Sequence, residues 1–290
     1  MNITSQLLIV LAATCWGLLG IFTRPLTDAG LSVVDMAAVR SMIAATCFIL
    51  ILLIVDKEKL RIKLKDVWIF VCMGLFGFII TSIFYITTMN LISLSVASIL
   101  LYTSPYFVML QSALIFKEKI TIPKVSALII AFTGCVLAVG IDRVEVPITG
   151  ILTGVIAALS YSMFTIFGKF ALKKYSPLTA TVYPAIMAAI LLIPFFDYQK
   201  IIYVASASTE NLVNLLVMAT LLTALPSMCY VKGLEKLEPS RASIISFVEI
   251  IAAAIVGIVI FSEMLSVSRI FGMVLIFVAL IILNLRRKAS

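Results

Sequence analysis

The sequence predicts an all-α integral membrane protein of ten transmembrane helices, built as a 5+5 inverted repeat with N- and C-termini cytoplasmic. Three observations lead there. The composition is too apolar for a water-facing surface, ten apolar runs of spanning length are joined by short basic connections, and the chain repeats itself at a spacing of 145 residues.

The composition comes first. Hydrophobic residues make up 63% of the 290, charged residues only 12%, and the mean hydropathy is +1.21. A soluble domain is nearer half apolar and a quarter charged, so a lipid bilayer is the partner that fits. The net charge of +8 does not point to nucleic acid. Its basic residues sit in short loops between apolar runs, which is a signature of membrane orientation. The five cysteines, Cys15, Cys47, Cys72, Cys135 and Cys229, lie inside apolar runs without a CxxC pair and read as small buried hydrophobes. The chain has no histidine, the commonest general base and metal ligand. No cofactor and no metal site is expected. The N-terminus lacks a basic region and a cleavage site, so its apolar run reads as a retained first span.

The spans follow. A helix crosses the bilayer with roughly 20 apolar residues. Ten segments qualify: 5–24, 33–55, 67–88, 94–116, 122–141, 149–168, 179–197, 212–234, 242–262 and 267–285. The connections are too short for a soluble domain. The segment between spans 7 and 8, near 197–211, is expected to lie partly on the membrane surface.

Orientation follows from Lys and Arg. With the N-terminus inside, the inner connections carry Lys57, Lys59, Arg61, Lys63, Lys65, Lys117, Lys119, Lys124, Lys169, Lys173, Lys174, Lys232, Lys236, Arg241, Arg286, Arg287 and Lys288. The outer ends carry only Arg24, Arg143, Lys200 and Arg269, and Arg40 lies within a span. That ratio, 17 to 4, is a strong positive-inside signal. It places both termini in the cytoplasm, which requires an even number of spans.

The repeat completes the fold. At the 145-residue offset, Ala12-Ala13 falls on Ala157-Ala158, Trp16 on Tyr161, and Ser82 and Tyr85 on Ser227 and Tyr230. Ser95-Val96-Ala97-Ser98-Ile99 falls on Ser240-Arg241-Ala242-Ser243-Ile244, and Phe116 and Glu118 on Phe261 and Glu263. Residues 1–145 thus form one five-helix repeat and residues 146–290 a second. Five is odd, so the second half enters from the opposite side. Inverted repeats are characteristic of secondary transporters, where they supply inward- and outward-open states.

The sequence resembles the EamA-like family of the drug/metabolite transporter superfamily over essentially its whole length. The residues that carry the likeness are Trp16-Gly17, Arg40, and the fourth span of each half running into an acidic turn. These spans read Ser98 to Pro105 through Phe116-Lys117-Glu118, and Ser243 to Glu249 through Phe261-Ser262-Glu263. Where relatives often have Glu-Pro, Glu249 is followed by Ile250. The resemblance implies ten spans, both termini inside, and alternating-access transport of small organic compounds. Export of amino acids or related metabolites across the cytoplasmic membrane of bacteria is frequent, and some relatives import other solutes.

The residues themselves suggest where a solute would bind. Arg40 and Glu249 are the clearest ionisable residues within spans, where a charge costs several kcal/mol unless paired or facing a cavity. At about 1.5 Å per residue, Arg40 lies about 10 Å below the outer boundary and Glu249 about 11 Å above the inner one. Arg40 suits a carboxylate, while Glu249 suits an amine or a coupling proton. The competing account is that each satisfies backbone carbonyls, a helix end or the other residue. Trp16 and Tyr161 are repeat mates at mid-span, and Tyr102 and Tyr106 share a helix face. With Phe247 they outline an aromatic pocket, while Tyr85 and Tyr230 lie nearer span ends. Such a pocket fits an apolar solute or a cation, and ordinary helix packing is its alternative. Glu118 and Glu263, at opposite membrane faces, are expected to cap the helices that follow.

Other classes fit less well. There is no HExxH, GxSxG or phosphate-binding loop, which argues against an enzyme. No filter-like segment suggests a channel, and no ATP-binding motif is present, so transport would use an existing gradient. A scaffold or receptor has no supporting feature, and ten spans can work as a monomer.

Overall fold

A computed structural model describes residues 2–55, 58, 61–140 and 147–285. Of the basic residues counted for orientation, Lys57, Lys59, Arg143, Arg286, Arg287 and Lys288 lie outside the described residues. Among the described residues every regular element is helical, as apolar chain in lipid requires, because a helix satisfies its backbone hydrogen bonds internally. Among the described residues ten helices are long and apolar enough to cross a membrane: Ile3–Asp28, Val33–Ile54, Leu64–Leu91, Leu94–Phe116, Ile122–Val139, Ile148–Leu172, Pro177–Phe195, Thr209–Lys236, Pro239–Val259 and Val267–Asn284. They are spans 1 to 10.

The connections sort by side. Asp66, in the first turn of span 3, takes Lys174 Nζ at 2.5 Å and the Tyr175 hydroxyl at 2.8 Å, joining the 2–3 and 6–7 connections. Lys124 Nζ meets Glu238 at 3.0 Å, joining 4–5 to 8–9. At the other end Arg24 meets Glu263 at 3.1 Å, and Asp35 accepts the Asp197 backbone N–H at 2.9 Å. The 2–3 connection thus lies with 6–7, 4–5 with 8–9, and 1–2 with 7–8 and 9–10. Burial pushes the Glu238 carboxyl up, but hydrogen bonds and charge from Lys124 and Arg241 hold it below its ordinary value.

Departures from regular helix recur at the 145-residue offset. Span 3 carries a π-helical stretch over Leu75–Ile80 and span 8 one over Thr220–Ala224. Each has a nearby cause. Pro226 cannot donate to the preceding turn, while the Thr81 and Thr223 hydroxyls bond carbonyls five residues back, at Phe76 and Met218, both at 2.8 Å. Wide turns of this kind inside helices are frequent at functional sites. Spans 4 and 9 both break mid-membrane, with helices resuming at Ser104 and Val248. Span 4 ends at Lys117 with φ 55°, and Ser262 has φ 54°. Span 1 breaks at Leu18, whereas its mate, span 6, is uninterrupted.

Small residues set the packing. Span 1 lies on spans 8 and 9, span 3 on span 6, span 2 on span 7 and span 5 on span 10. Between spans 5 and 10 a Cβ added at Gly134 would sit 2.6 Å from the Gly272 carbonyl oxygen, so these backbones approach as only glycine allows.

Two sequence expectations are refined. The 197–211 segment forms a helix, Tyr198–Ala207, that buries Val204 and exposes Tyr198, Ile202 and Tyr203. Glu118 does not cap span 5. The left-handed Lys117 turns the chain back, so the carboxylate faces Lys124 Nζ at 2.6 Å and accepts from Ser240 Oγ. Thr121 occupies the cap position of span 5.

Candidate functional site

The breaks in spans 1, 4 and 9 and the π segment of span 3 meet in the middle of the bundle, where they open space. A cavity of about 200 Å³ is lined by Trp16, Arg40, Phe78, Tyr161, Ser227 and Glu249, among others. It shares Trp16 and Glu249 with a wider cavity of about 590 Å³. The wider one also takes in Tyr85, Ser98 and Tyr102 and runs to the charged cluster Arg24, Glu263 and Arg269 at the end of the bundle. On the other side of Glu249 the space narrows to about 30 Å³, walled by Tyr102, Tyr161, Thr165, Tyr230 and Phe247. A separate basin of about 580 Å³ at the opposite end, lined by Lys124, Lys169, Glu118 and Glu238 among others, shares no residue with the central cavities.

Glu249 stands in the first turn of the resumed helix of span 9 and lines all three central cavities. The break places it there, and a carboxylate is favoured at a helix N-terminus by the dipole and the free N–H groups. Tyr102 lines two of these cavities with it. Arg40 approaches from span 2. Its Nε donates to Thr223 Oγ1 at 2.8 Å, anchoring the guanidinium on the π segment of span 8. Glu249 and Tyr161 line the same cavity as Arg40. The arrangement holds one positive and one negative group across a small cavity with aromatic walls. Fixed charges of opposite sign in a low-dielectric space suit a solute that itself carries charge, above all a zwitterion or an amine.

Trp16 packs on Tyr230 with centroids 5.4 Å apart. Tyr102 and Phe247, repeat mates at the two breaks, stack at 6.0 Å. Tyr161 stands beside Arg40 on the smaller cavity wall. The Tyr85 hydroxyl pairs with Ser98 at 3.0 Å on the wide side, and the Tyr230 hydroxyl with Thr165 at 2.7 Å on the narrow side. Tyr106 stands apart: its ring meets Phe132 edge-on at 5.4 Å, and it lines none of the three cavities.

Around the central cavities the structure places Trp16, Arg40, Tyr85, Tyr102, Tyr161, Tyr230, Phe247 and Glu249, and Tyr106 lines none of them. Sequence reading missed Thr223, Ser98 and Thr165, the hydroxyls that hold Arg40, Tyr85 and Tyr230. A lone Ser or Thr in a span carries no signal of its own, since most bond their own helix. Among the described residues no group of His, Cys, Asp and Glu gathers as metal ligands do.

A sequence model of the EamA-like transporter family matches residues 3–140 and again 148–285. A protein of Archaeoglobus fulgidus, described as an uncharacterized transporter, is 29% identical over 284 residues, 97% of this chain and 99% of its own. The Bacillus subtilis uncharacterized transporter YxxF is 26% identical over 202 residues, 68% of this chain and 64% of its own. A solved crystal structure with 18% identity superposes over the whole of both chains with a TM-score of 0.82, a likeness of fold.

Proposed function

The chain belongs to the EamA-like transporter family, and from that premise we propose a secondary carrier that moves a small organic metabolite by alternating access. The solute carries an amine, a carboxylate or both, as amino acids do, and is exported across the cytoplasmic membrane. The observation that supports this reading is the pairing of Arg40 and Glu249 across one aromatic-walled cavity. Arg40 receives a carboxylate, Glu249 receives an amine or a coupling proton, and Trp16, Tyr102 and Tyr161 cover the apolar part.

Each half holds five spans, and their connections alternate between the two ends of the bundle. The halves are therefore inverted with respect to each other, residues 1–145 against 146–290. Both termini are cytoplasmic, by the basic residues of the 2–3, 4–5, 6–7 and 8–9 connections. The wide cavity then opens outward, and the narrow side faces the cytoplasm. The carrier works as a monomer, since both halves contribute to one cavity.

A stabilisation screen of the purified protein in detergent tests the substrate class. It covers amino acids, amines, quaternary ammonium compounds and nucleobases. A ligand that binds only the folded state at 100 times its Kd adds about 2.7 kcal/mol. Amino acids or amines are expected to raise the melting temperature, and Trp16→Ala to lose most of that rise. Stabilisation by quaternary ammonium compounds alone would assign the site to a permanent cation held by ring faces. Stabilisation by nucleobases alone, or by none of the four, would overturn the amine- or carboxylate-bearing solute.

A further inference from the structure

The two ends of the bundle carry related charged sets with different contacts, and only the inner one adds Lys124 to Glu238 at 3.0 Å, since the repeat mate of Glu238 is Ser93. At the cytoplasmic end by the topology above, Lys124 and Glu118 are joined at 2.6 Å with side chains only 3% and 6% exposed. Ser240, fully buried, donates to the same Glu118 oxygen. Lys124 Nζ also reaches the Lys119 carbonyl at 2.9 Å. Lys169 Nζ crosses from span 6 to the end of span 8 and takes the carbonyls of Leu234, Glu235 and Leu237 at 2.8, 3.2 and 2.7 Å.

The 145-residue offset maps Glu118, Lys124, Lys169 and Ser240 onto Glu263, Arg269, Arg24 and Ser95. Part of the constellation is present there too. Arg269 meets Glu263 at 3.2 Å and reaches the Met264 carbonyl at 3.4 Å, as Lys124 does with Glu118 and Lys119. The Glu263 N–H bonds Gly257 O at 3.0 Å, as the Glu118 N–H bonds Ser112 O at 3.2 Å. The contacts that cross to the other half of the bundle differ. Ser95 lines the 590 Å³ cavity instead of resting on Glu263. Arg24, whose side chain is 54% exposed, holds Glu263 at 3.1 Å and lies 3.9 Å over the Phe261 ring.

We propose that these two sets are paired latches, and that the outer one closes by adopting the contacts of the inner one. Ser95 seats its hydroxyl on the Glu263 carboxylate. Arg24 leaves Phe261 and takes the carbonyls of Met89, Asn90 and Ile92, the repeat mates of Leu234, Glu235 and Leu237. The inner set opens in the same step: Ser240 leaves Glu118, and Lys169 releases the end of span 8. Within each latch the Glu–basic pair stays intact, so the carboxylate is never left without a partner. What changes is one hydroxyl and one long cation on each side, and this keeps the two closed states close in energy.

The inference rests on the inverted-repeat reading, and its test uses no solute, so it stands or falls apart from the substrate class. In a cysteine-free background Ala253→Cys, on the wall of the wide cavity, reports outward opening through its rate of labelling by a membrane-impermeant methanethiosulfonate in intact cells. Losing a hydrogen bond to a charged group is costly, so Ser240→Ala is expected to slow labelling on the order of tenfold by loosening the inner latch. Adding Ser95→Ala is expected to restore the rate, because the outer latch is then loosened equally. An unchanged rate in Ser240→Ala, or no restoration by Ser95→Ala, would overturn the proposal. A second measurement does not depend on those variants folding. Ser95→Cys with Glu263→Cys should form a disulfide under copper phenanthroline in membranes, as Ser240→Cys with Glu118→Cys should. Cross-linking at the inner pair alone would mean that the outer end closes by other contacts.

Discussion

Glu249→Gln is expected to abolish uphill transport of whichever solute the stabilisation screen identifies, at every pH, while the protein still folds and inserts. The substitution keeps size, shape and the capacity to accept hydrogen bonds within the cavity it lines with Tyr102. It removes the charge and the bindable proton. Two consequences separate in measurement. An amine that met the carboxylate loses a buried charge partner, which costs about 2–5 kcal/mol, so affinity should fall by 30-fold or more on the scale of about 1.4 kcal/mol per tenfold. The coupling step has no group to titrate, so an imposed proton gradient should no longer drive accumulation. Solute-for-solute exchange in proteoliposomes should survive at high concentration, because it requires the cavity to alternate but no proton to move. Full, pH-dependent uphill transport in Glu249→Gln would end the assignment of Glu249 to coupling. Loss of both uphill transport and exchange at saturating solute would place the carboxylate in the conformational change itself. The variant also leaves Arg40 with Thr223 as its near partner, so a modest fall in stability is expected beside the transport effect.

The elements legible in the sequence were those whose signal is collective. Ten runs of spanning length stand out because each sums some 20 residues of hydropathy, and all ten helices sit where the runs are. Helix ends moved by a few residues, as with span 6, expected at 149–168 and found at Ile148–Leu172. Lys169 is long enough to leave an apolar helix and reach polar partners. The convergence of Trp16, Arg40, Tyr161 and Glu249 was legible from mid-span position and residue type. Helix-face spacing groups Tyr106 with Tyr102, but one helix ends at Leu101 and the next begins at Ser104, so the i, i+4 rule does not carry across the break. The π segments were hidden for a related reason. Their cause is a hydroxyl or a proline competing with the backbone, and the sequence shows such residues wherever a helix is regular too. The role of Glu118 was misplaced because its partners, Lys124 and Ser240, are brought together by a left-handed turn and a contact 122 residues away.

Gly17 is the position where packing and site depend most directly on one another. A Cβ there would lie 2.5 Å from the Glu249 carbonyl oxygen, 2.6 Å from Ala252 Cβ and 2.9 Å from the Ala253 backbone N. These are not flexible side-chain tips that can swing aside. They are the backbone and first carbon of span 9, so any side chain forces spans 1 and 9 apart. Ala for Gly gains about 0.5–1 kcal/mol within a helix, while overpacking costs typically about 1–3 kcal/mol, and contact with rigid backbone places Gly17 at the upper end. Gly17→Ala is therefore expected to lower the melting temperature in detergent by several degrees, and Gly17→Val to do so more severely, with reduced yield of folded protein. Gly20→Ala is the internal control. It lies one turn further on and also lines the wide cavity, but a Cβ there meets nothing within 4 Å, so its melting temperature should hold or rise slightly. The functional consequence follows from geometry. The separation that Gly17→Ala forces falls at Glu249 itself, moving the carboxylate relative to Arg40, which Thr223 anchors to span 8. Ligand-induced stabilisation should therefore fall in Gly17→Ala beyond the loss of basal stability, and it should persist in Gly20→Ala. Equal melting temperatures for the two variants would mean that spans 1 and 9 are not in contact at Gly17 in the membrane protein as purified, and that the cavity wall is built some other way.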